Sequence, residues 1–186
     1  MKLPIVAYGD PVLKKVCAPI EQGYPDLKQL ISNMFETMYN AHGIGLAAPQ
    51  IGLPIRLFIV DTGVDEEEKK GFKSAFINAE ILEETGEPWA FNEGCLSIPD
   101  IREDVFRKPN ILIRYYDENW ELHEEKINGI LARVIQHEYD HIQGKLFTET
   151  LSLLRKRMLK SKLDAISKGN VKVDYKMRFP QQSRRR

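Results

Sequence analysis

The chain has 186 residues, 42% hydrophobic and 29% charged, and Lys plus Arg equals Asp plus Glu. That length can bury one sizeable core, and the balance is that of an ordinary globular chain rather than a disordered or fibrous one. Two cysteines, Cys17 and Cys95, are too few for a disulfide framework, and no apolar stretch approaches the ~20 residues of a membrane span.

Met1 to Asp10 lacks the apolar run of a signal peptide, so a cytoplasmic protein is expected, with neither membrane nor DNA as a partner. The charge is unevenly spread. Residues 1–150 hold 15 basic and 25 acidic residues, a net of −10; residues 151–186 hold 12 basic and 2 acidic, a net of +10. The simplest reading of the basic end is a solvated helix face plus a loose tail; the sharper one is contact with an anionic partner such as RNA.

The first helical pattern runs from Asp26 to Ala41. Leu27, Leu30, Ile31, Met34, Phe35, Met38 and Tyr39 recur on one face, Asp26 suits the start and Gly43 the stop. A Gly/Pro-rich loop follows, Gly43 to Pro54, then a buried strand, Ile55 to Asp61. Asp65 to Lys70 reads as a solvated loop. Phe72 to Glu84 and Ile111 to Tyr116 read as strands, and Asp117–Asn119 as a turn into a partner strand, Trp120 to Ile127. A second helix begins near Asn128 and carries Ile130, Leu131, Val134 and Ile135 ahead of His137, Glu138 and His141. Ser152 caps a basic helix that ends at Gly169, Val171 to Phe179 is a last strand, and Gln181 to Arg186 is a frayed tail. Short-linked strands with two or three helices indicate the α+β class.

His137-Glu138-Tyr139-Asp140-His141 is an HExxH on that second helix. Residues four apart lie one turn apart on one face, so both imidazoles can hold one metal, while Glu138 reaches the metal's water. A catalytic site also needs a third protein ligand and an open position. In the metzincin pattern the third histidine would fall at Phe147, and the thermolysin pattern needs a downstream glutamate, of which none follows Glu149. Cys95, flanked by Gly94 and Pro99, is the remaining soft ligand; Cys17 reads as a small buried hydrophobe. Gly43 to Ala48 imitates a dinucleotide fingerprint, with Asp61 downstream, but a helix precedes it and Pro49, Gly52 and Pro54 forbid a helix after it. The segment fits a loop that brings backbone groups and the Gln50 amide near a substrate. An HExxH peptidase and a closed structural metal site remain alternatives.

Three segments in this order, Gly43–Gln50 (GIGLAAPQ), Glu93–Ser97 (EGCLS) and Gln136–His141 (QHEYDH), resemble the peptide deformylase family, over roughly Ile5 to Leu151. HExxH alone occurs in many peptidases; EGCLS upstream of it distinguishes this family. The resemblance implies antiparallel sheets around a central HExxH helix, with an N-terminal helix and a basic C-terminal helix. It implies one catalytic domain over residues 1–180, with 181–186 a basic tail. Cys95, His137 and His141 would bind the metal, Fe(II) in the cell, with Zn, Ni or Co able to replace it in purified protein. Glu138 would act as base and acid, while Gln50 and the Leu96 N–H would stabilise the oxyanion. Ile44 and Gly45 would pair with the peptide, Arg102 would lie near its path, and Ile44, Phe91, Ile130, Val134 and His137 would line the methionine pocket. The substrate would be the N-formylmethionyl end of a nascent polypeptide and the small product formate. Some relatives contact the ribosome through a basic C-terminal helix. Arg133 stands where the family often has an apolar residue; a snorkelling stem with its head in water is expected there.

Overall fold

The structure, a computed structural model, describes residues 1–64 and 71–180; the expected Asp65–Lys70 loop and Gln181–Arg186 tail lie outside the described residues. The chain opens with β1 (Ile5–Val6) and α1 (Leu27–Asn40). Then come β2 (Gly45–Ala47), β3 (Leu57–Val64), β4 (Gly71–Thr85), β5 (Trp89–Cys95), β6 (Ile98–Arg107), β7 (Asn110–Tyr116) and β8 (Leu122–Asn128). It closes with α2 (Gly129–Ile142), α3 (Leu153–Ser167) and β9 (Met177–Arg178). Five strands form one antiparallel sheet in the order β2-β3-β4-β7-β8, and β5 and β6 form a separate antiparallel hairpin. The α+β class and its antiparallel sheets are as the sequence implies; β1 and β9, near the chain ends, pair in parallel, as does an isolated bridge between Ala18 and Ile55.

The apolar run Leu57-Phe58-Ile59-Val60 has a simple cause: both faces of the sheet are covered, and successive strand residues point to opposite faces. Leu57 and Ile59, with Ala75 and Ile77 of β4, pack with Ile31, Met34 and Met38 of α1. Phe58, Val60 and Phe76 pack with Ala132, Ile135 and Ile142 of α2, where the Phe58 and Phe76 rings stack at 4.6 Å. A third core joins Ile98 and Val105 of β6, Leu146 and Phe147, and Leu159, Leu163 and Ile166 of α3. The basic helix is therefore seated on the body through an apolar stripe, with Ser152 Oγ accepting the Arg155 N–H at 3.3 Å as its cap.

Several local expectations change. Asp26 precedes α1 in a left-handed backbone and makes no side-chain cap bond, and His42 (φ 56°), not Gly43, takes the left-handed position after the helix. The Gly43–Pro54 loop contains β2 and a single 3-10 turn, Ala48–Ile51; Pro49 suits its start because the first-turn N–H has no partner to lose. The β5–β6 hairpin has no counterpart among the strands read from sequence. Glu93, Arg102, Glu103 and Asp104 break its apolar alternation, and Glu93 and Glu103 are nonetheless buried. Val171 to Phe179 alternates half-buried and exposed residues as an extended segment should, but only Met177–Arg178 pairs as a strand. No described helix is long and apolar enough to cross a membrane.

Candidate metal centre

Helix α2 lies between the large sheet and the hairpin, and eight of its fourteen residues are buried, including Glu138 and His141. One helical turn brings the His137 and His141 rings to 5.1 Å, and β5 ends with Cys95 facing them. Ligand atoms of Cys95, His137 and His141 all lie within 4.8 Å of one another, with Cys95 Sγ 3.3 Å from His141 Nε2. One soft thiolate and two imidazoles within that span fit a single divalent transition metal. The buried His141 Nδ1 has no hydrogen-bond partner among the described residues.

A strand places residues i and i−2 on the same face, so Glu93 follows Cys95 into the site. His137 Nδ1 donates to Glu93 Oε2 at 3.0 Å, which leaves Nε2 for a metal. Two guanidinium groups hold the same carboxylate: Arg107 by Nε (2.8 Å) and Nη2 (3.1 Å), Arg133 by Nη1 (2.7 Å). Burial alone would raise the Glu93 pKa; hydrogen bonds from His137 and Arg107, with their charges, outweigh it and hold the carboxyl at about 2. Arg107 Nη1 also donates to Asp140 Oδ2 at 2.7 Å, tying the hairpin to α2 within the HExxH itself. Sequence reasoning gave Glu93 no role, although its place two before Cys95 was the available signal. Arg107 carried no signal, because its partners are set by tertiary register.

Arg133 corrects an expectation. Its head is not in water: the side chain is 3% exposed, Nη2 donates to the Trp89 carbonyl at 2.6 Å and Nη1 to that of Val105 at 3.0 Å. The guanidinium also stacks 4.3 Å from the Trp89 ring centre. Arg133 is thus part of the wall between hairpin and helix.

Gln50 comes from the 3-10 turn. Its Oε1 accepts the Ala47 N–H at 2.8 Å, so Nε2 turns toward the site, 3.4 Å from both Cys95 Sγ and Ser97 Oγ. Glu138 is buried, and its Oε2 has no hydrogen-bond partner among the described residues. Burial pushes its carboxyl up to about 7, against the pull of the His137 and Arg107 charges. Gly45 faces it so closely that a methyl group there would stand 2.8 Å from Glu138 Cγ and Cδ.

These groups open on a cavity of about 880 Å³. Gln50, Cys95, Leu96, His137 and Glu138 all line it, as do Gly45 and Val134. Ile44, Phe91 and Ile130 stand half-exposed at its rim. Arg102 also lines it, exposed, with its Nε and Nη2 donating to Asn92 Oδ1 (2.9 Å) and the Asn92 carbonyl (2.6 Å). His141 is set behind the lining. Tyr139 packs against the second core, and Asp140 accepts from Arg107.

A family model described as "Polypeptide deformylase" matches residues 2–157. The chain is 61% identical to the peptide deformylase of Christiangramia forsetii over 97% of both chains. It is 57% identical to that of Flavobacterium psychrophilum, over 96% of this chain and 97% of the relative. Among solved structures it is similar to a peptide deformylase from Legionella pneumophila, with a TM-score of 0.80, 36% identity, and coverage of 91% of this chain and 98% of that one. A peptide deformylase from Ehrlichia chaffeensis gives a TM-score of 0.83 at 30% identity, covering 91% of this chain and 99% of that one. The chain belongs to the polypeptide deformylase family.

Proposed function

We propose that this chain removes the N-formyl group from the formylmethionine of new polypeptides and releases formate, using Cys95, His137 and His141 as metal ligands. The observation that carries this reading is the soft three-ligand set beside a buried carboxyl, Glu138, with one unpaired oxygen on an open cavity. A bound divalent cation supplies Lewis acidity and brings the pKa of water toward neutrality. Glu138, whose carboxyl burial pushes up to about 7, takes a proton from the attacking water and returns it to the leaving amine. Gln50 Nε2 and the Leu96 N–H donate to the negative charge that develops on the formyl oxygen. Among the described residues strand β2 has one partner, β3, so its outer edge at Ile44 and Gly45 can pair with the peptide backbone. Phe91, Ile130, Val134 and the His137 ring hold the methionine side chain, and Arg102 lies beside the following residues.

The test is selectivity. Formyl-Met-Ala-Ser should release formate, while acetyl-Met-Ala-Ser and unformylated peptide should stay intact. Cleavage of internal bonds in the unformylated peptide would return the site to the peptidase reading.

Iron(II) is the ion we assign, with Zn, Ni or Co as replacements, because a thiolate with two imidazoles accepts all of them; metal analysis after anaerobic purification decides it. We further assign residues 1–180 to one catalytic unit with a basic tail, working in the cytoplasm. The ribosome is a second proposed partner, through the exposed Arg157, Lys160 and Lys162 of α3. Ribosome sedimentation that is equal for the wild type and an R157E/K160E/K162E variant would remove it.

A further inference from the structure

The match to the family model ends at residue 157, but the chain returns to the site after it. Beyond α3 it turns at Gly169, and Lys172, Val173, Asp174 and Tyr175 line the same cavity as Cys95 and Glu138. This return segment comes close to the rest of the site at three points, each beside a segment that carries a candidate site residue. Asp174 Oδ2 lies 3.4 Å from His42 Nε2, just before Gly43–Gly45. The Arg178 guanidinium lies against Gly52, where a Cβ would come within 2.5 Å of Nη2, at the end of the turn that carries Gln50. Tyr175 Oη donates to the Leu96 carbonyl at 2.8 Å.

The third point falls on Leu96–Ser97, the two-residue turn that joins β5 to β6 beside Cys95. Carbonyls in such a turn need partners from outside the hairpin ladder. Here the two ends of the chain supply them. Tyr8 N–H donates to the Ser97 carbonyl at 2.8 Å, and Tyr175 takes that of Leu96. The two ends are themselves tied, by Ile5 N–H to the Lys176 carbonyl and Ala7 N–H to that of Arg178, both at 2.8 Å. Tyr175 is half-buried and packs with Leu96 against the α1 core, so its hydroxyl is held in place. Burial raises its pKa, which keeps it a donor across the neutral range.

We propose that Tyr175 is a positioning residue for deformylation: by holding the Leu96 carbonyl it fixes the turn, and with it the direction of the Leu96 N–H. The proposal rests on the reading of that N–H as a donor to the formyl oxygen. A preset donor stabilises developing charge without reorganising, whereas a turn left free to rotate its peptides must be ordered at each turnover.

The test compares full-length, metal-loaded wild type and Tyr175→Phe, which removes only the hydroxyl. Formate release from formyl-Met-Ala-Ser gives kcat and KM, and amide exchange by NMR is followed at Leu96, Ile5 and Ala7. We expect kcat to fall about tenfold with KM changed by less than about twofold. The Leu96 amide should exchange faster, with Ile5 and Ala7 unchanged. Unchanged kcat and unchanged Leu96 exchange would overturn the proposal. Faster exchange at Ile5 and Ala7 with a raised KM would also overturn it, since Tyr175 would then only anchor the segment. A wild type that releases no formate overturns the underlying reading instead, and is told apart because Leu96 exchange is read without turnover.

Discussion

Gly45 shows how one missing atom can shape the site. A Cβ there would overlap the Glu138 carboxyl, so Gly45→Ala should displace the group proposed to handle protons. A displacement of this size typically costs ~100-fold in turnover, and that is the fall expected for Gly45→Ala, with metal content unchanged. Formate release at the wild-type rate would contradict the assigned role of Glu138. The two cysteines divide in the opposite direction from their similarity in sequence. Burial pushes the Cys17 thiol up to about 11, and it sits in the second core, away from the cavity. It should stay unmodified by iodoacetamide at pH 8 in the folded protein, as read by mass spectrometry. Its raised pKa stabilises the fold fully below about pH 9, and that contribution is lost as pH rises through about 11. Melting temperature should therefore fall less steeply between those pH values in Cys17→Ala. Arg133 marks the limit of reading single residues: its long stem is visible in sequence, but a buried partner such as Glu93 is not.

At the scale of elements, the HExxH helix is legible because the spacing of His137 and His141 is a local property of any α-helix. Cys95 is legible as a ligand candidate because Gly94 and Pro99 bracket it. The hairpin that carries Cys95 is not, because the inner face of β5–β6 is partly charged and the pattern of a strand is read from apolar alternation. Those charges join the hairpin to α2. Glu93 orients His137 while Arg107 spans Glu93 and Asp140. Glu93→Gln should leave a folded protein whose metal affinity drops by about 10–100-fold, measured by competition with a chelator. Equal affinity would mean that His137 needs no orienting partner.

For the whole molecule, the α+β class and the order of the main helices and strands follow from periodicity. The two covered faces of the sheet follow from the run Leu57–Val60. The pairing of the chain ends does not, since β1 and β9 contribute two residues each and no sequence pattern marks so short a contact. Nor does the composition of the basic end reveal that α3 is seated by Leu159, Leu163 and Ile166, or that the segment beyond it returns to the cavity. In the proposed function three ligands hold a metal, and Glu138 does the proton work beside it. The most direct test measures metal content and formate release on the same samples of wild type and Glu138→Ala. Full metal in both, with release only from the wild type, is the predicted result. Release by Glu138→Ala at the wild-type rate, with its metal in place, would contradict the claim.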